Sequence, residues 1–157
     1  MTTRKAARPA KSAAKIAIGA DHAGFAAKEH LKNFLLEKKH TVADCGAYAF
    51  DKKDDYPDIA FAVAKNIAQG KAQFGILLCG SGQGVCIAAN KVRGIRATIA
   101  WNAASAQAAR TDDDANILCL PARMLSNKAL EKIASIWLET PFSGLLRHTR
   151  RIKKLER

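Results

Sequence analysis

The apolar positions of this chain alternate between two rhythms. Lys15–Ala20 (KIAIGA) is a short β-rich run that reads as a first strand. Gly24–Lys39 sets Phe25, Leu31, Phe34 and Leu35 on one face of a helix. Thr41–Cys45 is a second, short strand. The acidic loop Asp51–Asp55 runs into Pro57, which suits the first turn of a helix reaching about Gln69, where a missing N–H costs nothing. Gln73–Cys79 (QFGILLC) is apolar throughout, the mark of a strand covered on both faces of a parallel sheet. A glycine-rich turn follows, then a helix over Val85–Lys91, a strand over Ile95–Trp101 and a helix over Ala103–Arg110. Asn116–Leu120 is a fifth strand and Ser126–Leu138 a further helix; Pro141 opens a last, basic helix.

Five strand–helix units in succession predict an α/β fold. It is a single doubly wound five-stranded parallel sheet, Rossmann-like and three-layered (α/β/α), with a C-terminal helix. The 157 residues fit one domain, expected over 15–157 behind a basic, disordered extension over 1–14. In such sheets ligands bind beyond the carboxyl ends of the strands. The residues that follow each strand there are polar and reactive: Asp21-His22, Asp44-Cys45-Gly46, Cys79 to Gly84, Trp101-Asn102, and Pro121 to Arg123.

The net charge of +12 suggests a polyanion partner until it is mapped. Arg4, Lys5, Arg8, Lys11 and Lys15 stand in the first fifteen residues without an acid, and a second basic block fills the last seventeen against Glu156 alone. The body between them is nearly neutral. It carries no helix-turn-helix, zinc-finger or aromatic RNA-binding signature, so no specific nucleic-acid partner is expected. No apolar run approaches the ~18 residues of a membrane span. The start has no apolar signal region; an arginine-rich, acid-free start can mimic an organelle transit peptide, but a plain extension in a cytoplasmic protein is the simpler reading. Cys45, Cys79, Cys86 and Cys119 form no CxxC pair, and the four histidines do not stand at metal-ligand spacing, so neither a metal nor a cofactor is expected.

The strongest chemical feature is Cys79-Gly-Ser-Gly-Gln-Gly84, between a buried strand and a helix. Alternate glycines let several backbone N–H groups turn inward, which suits a phosphate or a developing oxyanion. The dinucleotide fingerprint GxGxxG fails because Val85 stands where the third glycine belongs, and no Gly-Lys-Ser/Thr follows for a Walker loop. A plain tight turn is the bland alternative. Cys79 ends the strand beside this loop, where such electrostatics favour the reactive thiolate; Cys45, Cys86 and Cys119 read as inert packing residues. Asp21-His22 follows the first strand and would lie beside the Cys79 loop, since strands one and three are neighbours in the usual doubly wound order. Arg147 and Arg151, four apart, share a helix face and could clamp one phosphate. A solvated basic helix is the alternative, and it suffices for Arg150, Lys153 and Lys154.

Taken together, Gly19-Ala-Asp-His-Ala-Gly24, Asp55-Tyr-Pro57, Leu78-Cys-Gly-Ser-Gly-Gln-Gly84, Ala88-Ala-Asn-Lys91, Gly94-Ile-Arg96 and Arg147-His148 resemble the ribose-5-phosphate isomerase B / galactose-6-phosphate isomerase family over about residues 15–152. The resemblance implies metal-free aldose–ketose isomerisation of a sugar phosphate through a cis-enediolate, with ribose 5-phosphate/ribulose 5-phosphate as the first pair to consider. It implies that Cys79 is the base and that Ser81 polarises a substrate oxygen. Gly80, Gly82, Gln83 and Gly84 would hold the enediolate charge through their amides. Asp21 and His22 would contact sugar or phosphate oxygens, and Arg123, Arg147 and Arg151 would bind phosphate. It also implies a homodimer, or a dimer of dimers, whose sites draw residues from two chains.

One departure stands out. Where the family's ribose-5-phosphate isomerases place a His-Asn pair that opens the sugar ring, this chain has Asp112 and Asp113. By position Asp112 would be the catalytic ring-opening group and Asp113 a substrate contact, yet a free aspartate pKa of ~3.9 is poorly matched to acid catalysis at neutral pH. An acidic run that caps a loop or meets the basic helix is the structural alternative. Rival functions are an isomerase for a tetrose or hexose phosphate and a sugar-phosphate-binding regulatory domain without chemistry. Intact Cys79 and Ser81 argue against the latter. A receiver-type signalling domain is disfavoured because its phosphoacceptor aspartate would stand where Cys79 does.

Overall fold

The structure, a computed structural model, describes residues 13–156. The expected disordered extension therefore lies, up to residue 12, outside the described residues. Ala14 belongs to the fold: it is buried, its N–H donates to His40 Nδ1, and its carbonyl accepts the Thr41 amide.

The chain alternates as expected: β1 (Lys15–Ala20), α1 (Phe25–Glu37), β2 (Thr41–Asp44), α2 (Tyr56–Ala68), β3 (Phe74–Cys79) and α3 (Gln83–Ala89), then β4 (Ala97–Ile99), α4 (Ala103–Thr111), β5 (Ile117–Pro121), α5 (Asn127–Glu139) and α6 (Leu146–Leu155). All five strands are parallel, in the order β2-β1-β3-β5-β4. β5 thus inserts between β3 and β4, so that β3 and β5 are both central. The chain leaves β1 toward β2 on one side and returns to place β3 on the other. This opens a crevice at the carboxyl ends of β1 and β3, the place where doubly wound sheets bind ligands.

Side chains alternate between two cores, as the pleat requires. Ile16, Ile18, Phe74, Ile76, Leu78 and Leu118 face α1, α4 and α5, where Trp137 is fully buried. Ala17, Leu77, Cys79, Ile117 and Cys119 face α2 and α3. β3 is buried along its whole length, which is why its sequence shows no polar alternation.

Two elements differ from expectation. β4 has three residues rather than the seven of Ile95–Trp101. It is an edge strand paired only with β5; Asn102 leaves it to form the N-terminal cap of α4, its side chain accepting the Ser105 amide. The last helix opens at Leu146 rather than at Pro141. Gly144 has φ +66°, a conformation that breaks a helix, and the Ser143 amide donates to the Thr111 carbonyl, so Pro141–Leu145 is a pinned loop.

Two cations among the described residues are fully buried. Lys28 on α1 bonds both carboxylate oxygens of Asp44 at 2.9 and 3.0 Å and the Ala47 carbonyl at 2.6 Å. Arg110 on α4 lies against the Phe74 and Trp137 rings, 5.1 and 5.6 Å from their centroids, and donates to Asp114 and the Ala115 carbonyl. Such pairs cost desolvation but fix geometry, since an unpaired buried charge is far worse.

Candidate active site

Cys79 is the last residue of β3 and is buried. Its carbonyl accepts the Ala122 amide at 2.9 Å, which ties the loop after β5 to the loop after β3. The chain then turns through Gly82 at φ +75°, the left-handed region that glycine adopts without a Cβ penalty. The turn points the Gly82 N–H at Cys79 Sγ, 3.1 Å away, and the Gln83 N–H at Ser81 Oγ, 3.3 Å away. Sulfur, hydroxyl and inward-facing amides are thereby gathered at the start of α3. Helix α3 opens at Gln83 rather than Val85 because Gly82 forms its N-terminal boundary.

Arg123 reaches this loop from the carboxyl end of β5. Its amide donates to the Gly80 carbonyl at 3.1 Å. Its guanidinium lies so close over Gly80 that a Cβ there would sit 2.9 Å from Nη1. The α2 residue Tyr56 leans on the far side, its ring filling the space beside Gly84 where a Cβ would meet it at 2.7 Å. The glycines of the motif serve close approach as much as turning.

Asp21 and His22 follow β1, and the register Ala20↔Leu78 sets them level with Cys79. Asp21 is buried and its Oδ1 accepts the Gly24 amide, stabilising the turn into α1 rather than capping the helix itself. His22 Nδ1 lies 2.6 Å from Asp54 Oδ1, and the same oxygen accepts the His22 amide at 3.1 Å. Asp54 is a member of the site that sequence spacing missed, since it stands 32 positions from its partner. Asp21, His22 and Asp54 offer ligand atoms within 4.8 Å of one another, the one such group among the described residues. Spacing along the chain did not anticipate this cluster either. Two of its atoms are already joined by the His22–Asp54 hydrogen bond.

The remaining candidates lie elsewhere. Asp112, Asp113, Arg147 and Arg151 are not brought to Cys79 within the chain. The acidic run precedes β5, whose first residue Ile117 pairs with Gly75, whereas Cys79 pairs with Pro121 at the other end. The length of β5 separates the two levels, roughly 13 Å at about 3.3 Å per residue. At that amino pole Asp112 Oδ1 is 3.7 Å from the Nδ1 of buried His148, which also exchanges a hydrogen bond with Ser143 Oγ at 2.9 Å. Asp113 is exposed, and Asp114 bridges Arg110 and Arg96. Arg147 and Arg151 do share one face of α6 and are exposed.

The other thiols are structural in placement. Cys119 is fully buried, and burial and its Cys86 neighbour push its thiol up, while the hydrogen bond from Cys119 draws that of half-buried Cys86 down. Burial likewise raises Cys45.

With this geometry in place, similarity to known proteins is informative. The sequence profile of the Ribose/Galactose Isomerase family matches residues 16–155. The crystal structure of a ribose 5-phosphate isomerase from Thermotoga maritima superposes with a TM-score of 0.88 at 47% identity, covering 91% of this chain and 97% of that one. The ribose-5-phosphate isomerase B of Mycoplasma genitalium, solved with bound ribulose-5-phosphate, gives 0.86 at 42% identity, over 90% and 93%. A D-erythrulose-4-phosphate isomerase from Pectobacterium atrosepticum is 42% identical over 82% of this chain and 85% of its own length.

Proposed function

The chain belongs to the Ribose/Galactose Isomerase family, and on that premise we propose that it interconverts ribose 5-phosphate and ribulose 5-phosphate with Cys79 as the base. It is an aldose–ketose isomerase of sugar phosphates; substrate choice, mechanism and assembly are the parts proposed. The observation that carries the mechanism is the placement of Cys79 Sγ at the β1–β3 crevice, with an amide 3.1 Å from it and Ser81 two residues on.

Cys79 removes the proton from the carbon beside the carbonyl and returns it to the former carbonyl carbon, while the proton of that neighbouring carbon's hydroxyl passes to the former carbonyl oxygen. Between the two transfers the negative charge sits on the enediolate oxygens. Ser81 and the amides of Gly80, Gly82, Gln83 and Gly84 hold that charge, and preorganised donors of this kind supply a large share of enzymatic rate enhancement. The loop does by hydrogen bonding what a metal would do as a Lewis acid, so the mechanism calls for no metal. Asp21 and His22 contact sugar oxygens, with Asp54 holding the imidazole. Arg123 binds the phosphate from the same chain.

Arg147, Arg151, Asp112 and Asp113 belong to the opposite pole, and this supports a homodimer in which each chain completes its partner's site. The domain proper begins near Ala14. Free thiols fit a cytoplasmic setting, and no helix of the described residues is long and apolar enough to cross a membrane. The decisive experiment is a hybrid dimer made by co-expressing Cys79→Ala with Arg147→Ala/Arg151→Ala chains. Each homodimer is crippled, but a hybrid has one site with neither defect, so activity returns on mixing. Failure to recover activity in purified hybrids refutes the shared site.

A second reading concerns the substrate. In a tetrose 4-phosphate the oxygen that would close a five-membered ring carries the phosphate, so the sugar stays open. An enzyme with Asp112 in place of a ring-opening histidine suits such a substrate, and a tetrose-phosphate isomerase stands among its relatives.

A further inference from the structure

A cavity of about 780 Å³ lies at the amino pole of the sheet, away from the glycine loop and beneath α6. Its walls come from the strand starts at Lys15, Phe74 and Asn116, from Lys71 and Arg96, and from the inner side of α6. Phe142 and Ile152 supply an apolar lining, with Ile67 and Phe74 buried behind it. A smaller cavity of about 360 Å³ adjoins it across Gly94, Arg96 and Glu156 and adds Lys91 and Arg93.

The charge of this region does not balance. Its two acids are Asp114 and Glu156. Asp114 gives one oxygen to Arg110 at 2.7 Å and the other to Arg96 at 3.1 Å; Glu156 is taken by Arg96 at 2.6 Å. Two guanidiniums therefore consume both carboxylates. Lys15, Lys71 and Lys153 line the cavity with no carboxylate partner among the described residues. Arg110, buried at the floor, has Nε and Nη2 without a hydrogen-bond partner.

We propose that this cavity is a second binding site, for a small organic phosphate with a flat apolar body. The volume is that of a small-molecule pocket, a phosphate dianion answers the lysine excess, and the apolar group lies on the partly exposed Phe142 and Ile152. The site is separate from the phosphate clamp. At 3.6 residues per turn, Thr149, Ile152, Lys153 and Glu156 project from the side of α6 roughly opposite Arg147 and Arg151.

Phenyl phosphate is the probe, followed by the backbone amide NMR shifts of the full-length protein. Saturable shifts at Lys71, Gln73, Asn116 and Ile152 are expected. The exposed pair Lys71→Glu/Lys153→Glu should weaken binding about tenfold or more, whereas Arg123→Ala, in the catalytic loop, should leave those shifts in place. Shifts confined to Gly80–Gly84, an affinity indifferent to the double charge reversal, or no saturable response at the amino pole overturns the proposal. Because binding is read directly, its outcome does not depend on which sugar phosphate is turned over.

Discussion

The amide of Gly82 donates to the sulfur of Cys79 across 3.1 Å, so the residue that turns the loop also touches the proposed base. Cys79→Ala removes the base while keeping the backbone turn, which φ at Gly82 and the Ala122–Cys79 bond hold independently. We expect kcat to fall by about 10²–10⁴, the usual worth of a general base, with KM and the unfolding midpoint little changed. Near-normal turnover of this variant would remove the mechanism. Cys119→Ala, by contrast, should cost about 1 kcal/mol of stability and leave kcat alone.

Chelation tests the amide-based account. Asp21, His22 and Asp54 stand close enough to tempt a cation: Asp54 Oδ1 accepts the His22 amide and pairs with its Nδ1 and Asp21 Oδ1 accepts the Gly24 amide, while Asp54 Oδ2 is buried without a partner among the described residues. Activity is expected to survive exhaustive EDTA treatment. Loss that a divalent ion restores would make this trio a metal centre and transfer the charge stabilisation from the loop to the ion.

The Lys28–Asp44 pair gives a pH signature of stability. Burial pushes the Asp44 carboxyl up, but hydrogen bonds from Lys32, Lys28 and the Gly46 amide outweigh it and hold it below the ordinary value. A carboxyl depressed by folding stabilises fully above its unfolded pKa of ~3.9, and that contribution is lost as pH falls through the folded value. Asp44→Asn should therefore cost about 2 kcal/mol near neutrality, because Lys28 loses one charged partner and keeps Glu29 and the Ala47 carbonyl. The gap from wild type should close in acid. A pH-independent gap in denaturant titrations would show that packing, not charge, is what the substitution removes.

Asp112 decides between substrates. It is about half exposed and faces His148. If the enzyme works on open-chain sugars, a tetrose phosphate outperforms ribose 5-phosphate in kcat/KM, and Asp112→Asn barely alters it. If Asp112 opens rings, ribose 5-phosphate is turned over well and the same substitution abolishes that activity alone. Efficient ribose 5-phosphate turnover indifferent to Asp112→Asn sinks both and leaves the carboxylate as the partner of His148.

The architecture was legible wherever periodicity met an unambiguous breaker. QFGILLC announced a central strand, and Gly82 and Pro57 marked helix starts within two residues. Legibility failed at Pro141, where a proline suited to a helix start is followed by Gly144, whose positive φ postpones the helix to Leu146. It failed at β4 because an edge strand's length depends on its neighbour, not on its own β-propensity. In the site, Cys79 and its glycines were readable because they are consecutive. Asp54 and Tyr56 were not assigned, because their neighbours His22 and Gly84 are brought to them only by the packing of α2 against β1 and β3. The order β2-β1-β3-β5-β4 carries no local signal at all, and it is this order that puts Arg123 over Gly80.

Buried Arg110 lies against Trp137, which is wholly shielded, while Trp101 is 62% exposed at the carboxyl end of β4. The two indoles therefore divide the chain's ultraviolet emission into an interior and a rim signal. In the folded protein a charged quencher such as iodide reaches Trp101 and not Trp137, so the onset of quenching of the shielded fraction reports opening of the α4–α5 core without any label attached.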